Sequence, residues 1–403
     1  MTKIGFHYFH DTQHYRQSDL NTWLPALRKM RAKWLVLEAP LQYALPEHLV
    51  RSLVEAGIQP VLHFKMPPDQ LPLKDNLQLL FITYARWGGK YIALFDRPNL
   101  GATWQNTAWA QADLVERFLD IFIPLSKLCI DVGLTPIFPP LEPGGDYWDT
   151  AFLRAALQGI QRRGHQALLE KMVIGAYAHS NGHPLNWGAG GPERWPEARP
   201  YQASADQQDQ RGARIFDWYK AITNAILPYT APIFLFGIGM DQPDQKNVDL
   251  ARLLVGENLE GLEALPEEIL GTAFDLQAWF SAKGEILPLG ESYLSTLKEQ
   301  KKNIPPISRA GYAFSHYLLL PAYDWGIADF HLEVIQPFIK KYQPTIGFSL
   351  QEAAHARRVT VIGNSSDFPK NGLQKLRNVG AIVEHIEGDG TILASRLASA
   401  LPI

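Results

Sequence analysis

Short apolar runs rich in β-branched and aromatic residues alternate, over the first 300 positions, with longer segments whose apolar residues recur every three to four. The short runs read as buried strands. The longer segments read as helices packing one face against a sheet. Strands are predicted over 4–9, 34–38, 60–64, 91–95, 134–138, 172–177, 232–236 and 269–276. Helices are predicted over 20–31, 47–56, 77–87, 109–132, 150–162, 214–227, a segment including 248–254, and 291–300. Ser18-Asp19 supplies a start signal for the first helix and Gly57 a stop for the second. Eight strand–helix pairs in about 300 residues are the pattern of a parallel sheet wound with helices, and they match a (β/α)8 TIM barrel. One long irregular loop, from Ala178 to about Gln208, interrupts the rhythm.

The stretch Lys301-Lys-Asn-Ile-Pro-Pro306 is polar and rich in breakers, which places a linker over 301–307. Beyond it, strands predicted over 317–320, 345–348, 359–362 and 381–386 alternate with helices over 329–342, 350–356, 372–379 and 391–401. The expectation is a barrel over 1–300 followed by a small α/β three-layer domain over 308–403. The glycine spacing of phosphate-binding motifs is absent after Gly363, which argues against a nucleotide site there.

Composition narrows the function classes. A net charge of −3 gives no electrostatic case for a nucleic-acid or membrane-surface partner. No apolar run approaches the roughly 18 residues of a membrane span. The single cysteine, Cys129, rules out an internal disulfide and sits in an apolar helical stretch, as a packing residue would. Met1-Thr-Lys-Ile-Gly-Phe-His runs directly into the first strand without the regions of a signal peptide, so the expected location is cytoplasmic, or secreted if the N-terminus is processed. His7, His10, His14 and His63 cluster near strand ends, but no metal-ligand spacing accompanies them. The expectation is therefore no metal and no cofactor.

Chemistry in a barrel of this kind belongs at the C-terminal ends of the strands. The fourth strand ends in Phe95-Asp96-Arg97-Pro98-Asn99, and the seventh runs through Pro232-Ile-Phe-Leu-Phe-Gly-Ile-Gly-Met240. Both resemble motifs of the large glycoside-hydrolase clan of (β/α)8 barrels, in which strand four ends in Asn-Glu-Pro-Asn and strand seven in Thr-Glu-aromatic-Gly. Leu141-Glu-Pro-Gly-Gly-Asp-Tyr-Trp-Asp149 resembles the loop after strand five of the same clan. The resemblance puts Arg97 at the acid/base glutamate and Gly237 at the nucleophile. A guanidinium stays protonated above pH ~12 and cannot act as that acid, and glycine has no group to attack with. The stretch from Val359 to Ala394 resembles bacterial cell-wall-binding repeats, which implies a cell-wall or protein partner for the C-terminal domain.

Recognition residues survive better than the catalytic pair. Flat aromatic faces stack on sugar rings while polar neighbours hydrogen-bond hydroxyls. The candidates for substrate binding are Asn99, Trp104, Trp148, Tyr177, His179, His183, Trp187, Asp241, Asp275 and Trp279. The leading expectation is a carbohydrate-binding barrel, a pseudoenzyme lacking the standard pair, with an oligo- or polysaccharide as partner. A second is an active glycosidase using Glu142 with Glu38, Asp96, Asp241 or Asp275, carboxylates at strand ends. A third is a non-enzymatic scaffold or cell-surface adaptor working through its C-terminal domain, with the barrel mouth plugged by side chains.

Overall fold

The computed structural model describes residues 3–387 except 12, 71–73, 106, 111, 199–208, 240–243, 258, 304–311, 322–328, 365–366, 369–371 and 379–380. The chain divides into two compact units, Met1–Glu299 and Gln300–Ile403. The predicted helix over 391–401 lies outside the described residues. Residues 301–303, the start of the predicted linker, continue the helix Pro288–Asn303.

In the first unit the strands are β1 (Gly5–His7), β2 (Trp34–Glu38), β3 (Gln59–Phe64), β4 (Tyr91–Leu94), β5 (Thr135–Leu141), β6 (Val173–His179), β7 (Ile233–Gly239), β8 (Ile269–Thr272) and β9 (Phe274–Asp275). All pair in parallel, in chain order from β1 to β8. β9 continues β8 past Ala273 and closes the barrel: β8 pairs with β7, whereas Phe274 in β9 is in register with Phe6 of β1. Two backbone bonds span this seam, Thr272 N–H to the Lys3 carbonyl at 2.9 Å and Ala273 N–H to the Leu235 carbonyl at 2.8 Å. This is a (β/α)8 TIM barrel.

Strand alternation splits the core in two. Outward residues such as Phe6, Leu35, Leu62, Leu94 and Phe138 join the helices in one continuous apolar layer. Inward residues Trp34, Val36, Val61, Ala93, Ile137, Val173, Phe234 and Phe236 fill the barrel. The rings of Tyr91 and Phe234 lie 5.2 and 5.3 Å from that of Trp34 and fill the end where the strands begin.

β5 departs from the pattern. A strand ending at Phe138 is predicted, because Pro139 and Pro140 lack the N–H a ladder needs. The strand instead passes through both prolines to Leu141 with a register shift between Phe138 and Leu141, the accommodation a bulge provides. Gly175 of β6 makes room for it, since a Cβ there would fall 2.5 Å from the Phe138 carbonyl oxygen. The short helices Gln166–Lys171, Gly191–Arg194 and Leu276–Trp279 are additions to the predicted set.

The second unit contains β10 (Phe314–Leu319), β11 (Thr345–Gly347), β12 (Ala356–Ile362) and β13 (Ile382–Ile386), all parallel, in the order β11-β10-β12-β13. Tyr317 and Leu319 face a cluster including Ala353 and Leu376. Leu318 and Leu320 face another including Ile335 and Phe338, so helices cover both faces of the sheet.

Candidate functional site

A cavity of about 440 Å³ opens at the C-terminal ends of the barrel strands. Arg97, Tyr177, His179, Gly237, Asp275 and Trp279 all line it, as do His7, His10, Lys65 and Asp96. Arg97 and Gly237 therefore share one cavity. Phe236, edge-on to Tyr177 with ring centroids 6.4 Å apart and tilted against His63 at 4.9 Å, closes it from below.

The backbone after β4 is bent in an unusual way. Phe95 (φ 69°) and Arg97 (φ 47°) both adopt the left-handed conformation that non-glycine residues avoid. The bend is held from three sides: Phe95 N–H donates to the Phe64 carbonyl at 2.9 Å, Arg97 N–H to the Pro140 carbonyl at 3.0 Å, and His63 Nε2 to the Phe95 carbonyl at 2.9 Å. Phe95 consequently packs outward on Phe118, while Asp96 and Arg97 turn toward the mouth. Strain of this size, about 1–3 kcal/mol per residue, persists only where the surroundings fix it.

Arg97 lies at the centre of the polar cluster. Its Nε is 3.3 Å from Glu142 Oε2 and 4.0 Å from Asp96 Oδ1, and its guanidinium sits 4.4 Å above the Tyr177 ring. The Tyr177 hydroxyl donates to Asp96 Oδ1 at 2.7 Å. Burial works against the Arg97 charge, but Tyr177, Asp96 and Glu142 outweigh it and raise its pKa. Tyr177 itself is pushed far up, by burial first and by Asp96 second, and stays a donor. Burial also lifts the Glu142 carboxyl above its ordinary range, with Asp96 and Asp149 adding to the rise and Arg97 opposing it.

At Gly237 the side-chain space is taken. A Cβ there would fall 2.6 Å from His179 Cε1 and Nε2 and 3.2 Å from Tyr177 Cδ1. The His179 ring stacks on Tyr177 with centroids 5.7 Å apart. Where the sequence suggests an empty place, an imidazole stands.

Across the mouth, Glu38 Oε2 accepts from His10 Nδ1 at 3.0 Å and pairs with Lys65 Nζ at 3.1 Å. The hydrogen bond from His10, aided by Lys65, overrides burial and brings the Glu38 pKa down to about 2. Burial depresses His7 to about 3 even though it hydrogen-bonds the Phe236 carbonyl, so this imidazole is neutral. Among the described residues no group of three or more His, Cys, Asp or Glu is placed to hold a metal ion, and no helix is long and apolar enough to cross a membrane.

Most other candidates lie away from the cavity. Asn99 is fully buried. Its Nδ2 donates to the carbonyls of Glu142 and Tyr147 at 2.8 and 3.0 Å, and its Oδ1 accepts from Glu142 N–H at 2.9 Å, so it ties the β4 loop to the β5 loop. Trp104 is buried, its indole donating to the Pro98 carbonyl at 2.9 Å. Trp148 is half-exposed and precedes the helix Asp149–Arg162. His183 and Trp187 stack on each other at 4.1 Å, and Trp187 also donates to the Asp209 carbonyl, which gives the long loop a small core of its own. Asp275, which lines the cavity, also caps the helix Leu276–Trp279 by accepting from Gln277 N–H at 3.0 Å. Asp241 lies outside the described residues. Sequence reading passed over Lys65, although it directly follows β3, where the strand-end rule points.

The geometry and fold together describe a (β/α)8 barrel with a polar, aromatic-floored mouth. Solved structures similar to it include a GH128 (subgroup II) endo-beta-1,3-glucanase from Sorangium cellulosum (18% identity, TM-score 0.43, covering 73% of this chain and 98% of that one). A GH128 (subgroup I) endo-beta-1,3-glucanase from Amycolatopsis mediterranei, in complex with laminarihexaose, has 15% identity and TM-score 0.41 over 73% of this chain and 99% of that one. A monomeric beta-xylosidase from Caulobacter crescentus has 10% identity and TM-score 0.45 over 73% and 68%. No family model and no curated protein matches the chain.

Proposed function

We propose that the barrel mouth binds carbohydrate and that the two-glutamate mechanism of the clan is replaced there, with Arg97 in the acid/base position and His179 filling the space beside Gly237. The observation carrying this reading is that Arg97 and Gly237 line one cavity while neither offers a carboxyl group. The cavity supplies what sugar recognition uses: the charged and polar groups of Arg97, Lys65, Asp96, His10 and Asp275 over an aromatic floor that includes Tyr177 and Phe236. Its volume of about 440 Å³ argues against a plugged mouth, and so against the scaffold reading of the barrel. The test is a binding screen against a glycan panel alongside turnover of aryl glycosides. Glycan binding without turnover is expected; no binding to any glycan overturns the proposal.

A second reading, residual hydrolysis through Glu142 and Asp96, is favoured by one measurement. With both oxygens held near Arg97 Nε, at 3.3 and 4.0 Å, they lie no more than about 7.3 Å apart, close enough for a carboxylate pair of the kind that works at about 5–9.5 Å. Glu142, its pKa raised, is the proton donor of such a pair. Turnover abolished by Glu142→Gln would establish this reading in place of the first.

A further inference from the structure

A second cavity, about 510 Å³, shares none of its lining residues with the mouth. Three segments wall it: Pro184 and Leu185 of the loop after β6, the helix Gln245–Leu254, and the stretch 259–262 that precedes β8. The helix gives it Lys246, Asp249 and Arg252, a stripe with a spacing of three. Between them Asn247, Val248, Leu250 and Ala251 are buried, and Asn247 lines the mouth. One helix thus serves both cavities from different faces. The other two walls are pinned together: Asn186 Nδ2 donates to the Gly261 carbonyl at 2.7 Å, and its Oδ1 accepts from Glu263 N–H at 3.1 Å. Arg194 adds a charged tie to the Glu263 carboxylate at 2.7 and 2.8 Å. The cavity is therefore built into the fold, as ligand pockets usually are.

Its chemistry is apolar with balanced charge. Leu185 is buried, and Leu259 and Leu262 are half-buried against the core. Two cations, Lys246 and Arg252, face two anions, Asp249 and Glu260. Arg252 is occupied, its Nε donating to Glu257 Oε2 at 2.9 Å and its Nη1 to Asp249 Oδ1 at 3.4 Å. Lys246 and Glu260, on separate walls, have no side-chain partner among the described residues. We propose that this cavity binds a short apolar peptide with free termini, its carboxylate on Lys246, its ammonium on Glu260 and its side chains on the three leucines. The class follows from charge complementarity: one unpaired charge of each sign matches a zwitterion, and a lining of zero net charge disfavours a nucleotide or other polyanion. The volume lies within the roughly 300–1,000 Å³ of pockets that enclose small ligands, so it has room for about two residues with large side chains. The site stands apart from the carbohydrate reading of the mouth and does not depend on it.

Calorimetric titration of the full chain with three probes tests this: leucyl-leucine, seryl-serine and N-acetyl-leucyl-leucinamide. Wild type is expected to bind leucyl-leucine, and the other two at least about tenfold more weakly, because one lacks the apolar side chains and the other the terminal charges. Lys246→Ala and Glu260→Ala, both exposed positions whose unaltered melting temperatures are checked first, are each expected to weaken leucyl-leucine about three- to tenfold. Arg97→Ala, in the mouth, is expected to leave it unchanged. Absence of leucyl-leucine binding overturns the proposal, and so does equal binding by wild type and both charge variants. Loss of binding in Arg97→Ala would put the peptide in the mouth and overturn it as well. A blocked peptide that binds as tightly as the free one would replace it with docking of an internal segment of a protein partner.

Discussion

His179 occupies the room that a side chain on Gly237 would need: a Cβ built on Gly237 lies 2.6 Å from His179 Nε2. The two positions are adjacent across the β6–β7 ladder, where Tyr177 pairs with Gly237 and His179 with Gly239. Any side chain at Gly237 is therefore coupled to a neighbour, and on the proposed reading glutamates placed at Arg97 and Gly237 alone are not expected to form a working pair. The Arg97→Glu/Gly237→Glu variant is expected to lose about 1–3 kcal/mol to overpacking. Adding His179→Ala is expected to recover part of that loss. Chemical denaturation of the double and triple variants checks this. Equal stability of the two would show that the imidazole swings clear without cost.

Asn99 offers a second test, of the scaffold behind the site. Its amide satisfies both backbone groups of Glu142 and the carbonyl of Tyr147. Asn99→Ala strands several buried polar groups at once and is expected to cost about 2–4 kcal/mol. Because the ties end on Glu142, ligand affinity at the mouth is expected to fall as well. Urea denaturation and titration with the best-bound glycan measure the two effects. A variant as stable as wild type would show that water substitutes freely for the amide.

These cases mark what sequence patterning can resolve. The barrel was legible because eight buried strands must be nearly continuous in apolar residues, and their helices periodic, whatever the chemistry at the mouth. β2 spans the predicted residues and β4 differs by one. The β5 extension was not legible, since two prolines signal a strand end and only the glycine opposite, Gly175, makes the bulge feasible. At the site, strand ends pointed to Arg97, Tyr177, His179 and Gly237, all around one cavity. Composition alone could not separate Trp279, which lines the cavity, from Trp104 and Trp187, whose indoles donate to loop carbonyls. The bend at Phe95–Arg97 leaves no mark in sequence, because neither residue is one that favours a positive φ.

Glu142 should make stability depend on pH in one direction. Its folded pKa lies above the ordinary 4.5, so between those two values the native state holds the extra proton. Its contribution to stability is full below pH ~4.5 and is lost as pH rises through the folded pKa. Glu142→Gln removes that decline, and its stability curve is expected to be flatter than wild type across mildly acidic pH. Urea midpoints at closely spaced pH values provide the check. Parallel curves would mean that the Arg97 pairing fully offsets burial.

Glu38 should behave in the opposite sense. With its folded pKa lowered to about 2 from 4.5, the unfolded chain binds the proton first as acid is added. Its stabilising contribution is present above about pH 4.5 and is lost as pH falls toward 2. His10 and Lys65 both hold the same carboxylate oxygen. Protonating Glu38 therefore loosens its contacts with His10 and Lys65 at the mouth as well as the fold. Glu38→Gln is expected to show a smaller loss of stability between pH 4.5 and 2 than wild type, and added salt is expected to narrow the difference because the groups are partly exposed. Acid titration followed by tryptophan fluorescence, at low and high ionic strength, measures both. An acid transition unchanged by Glu38→Gln would place the proton uptake on other carboxylates and leave the His10–Glu38–Lys65 row without a share in holding the fold together.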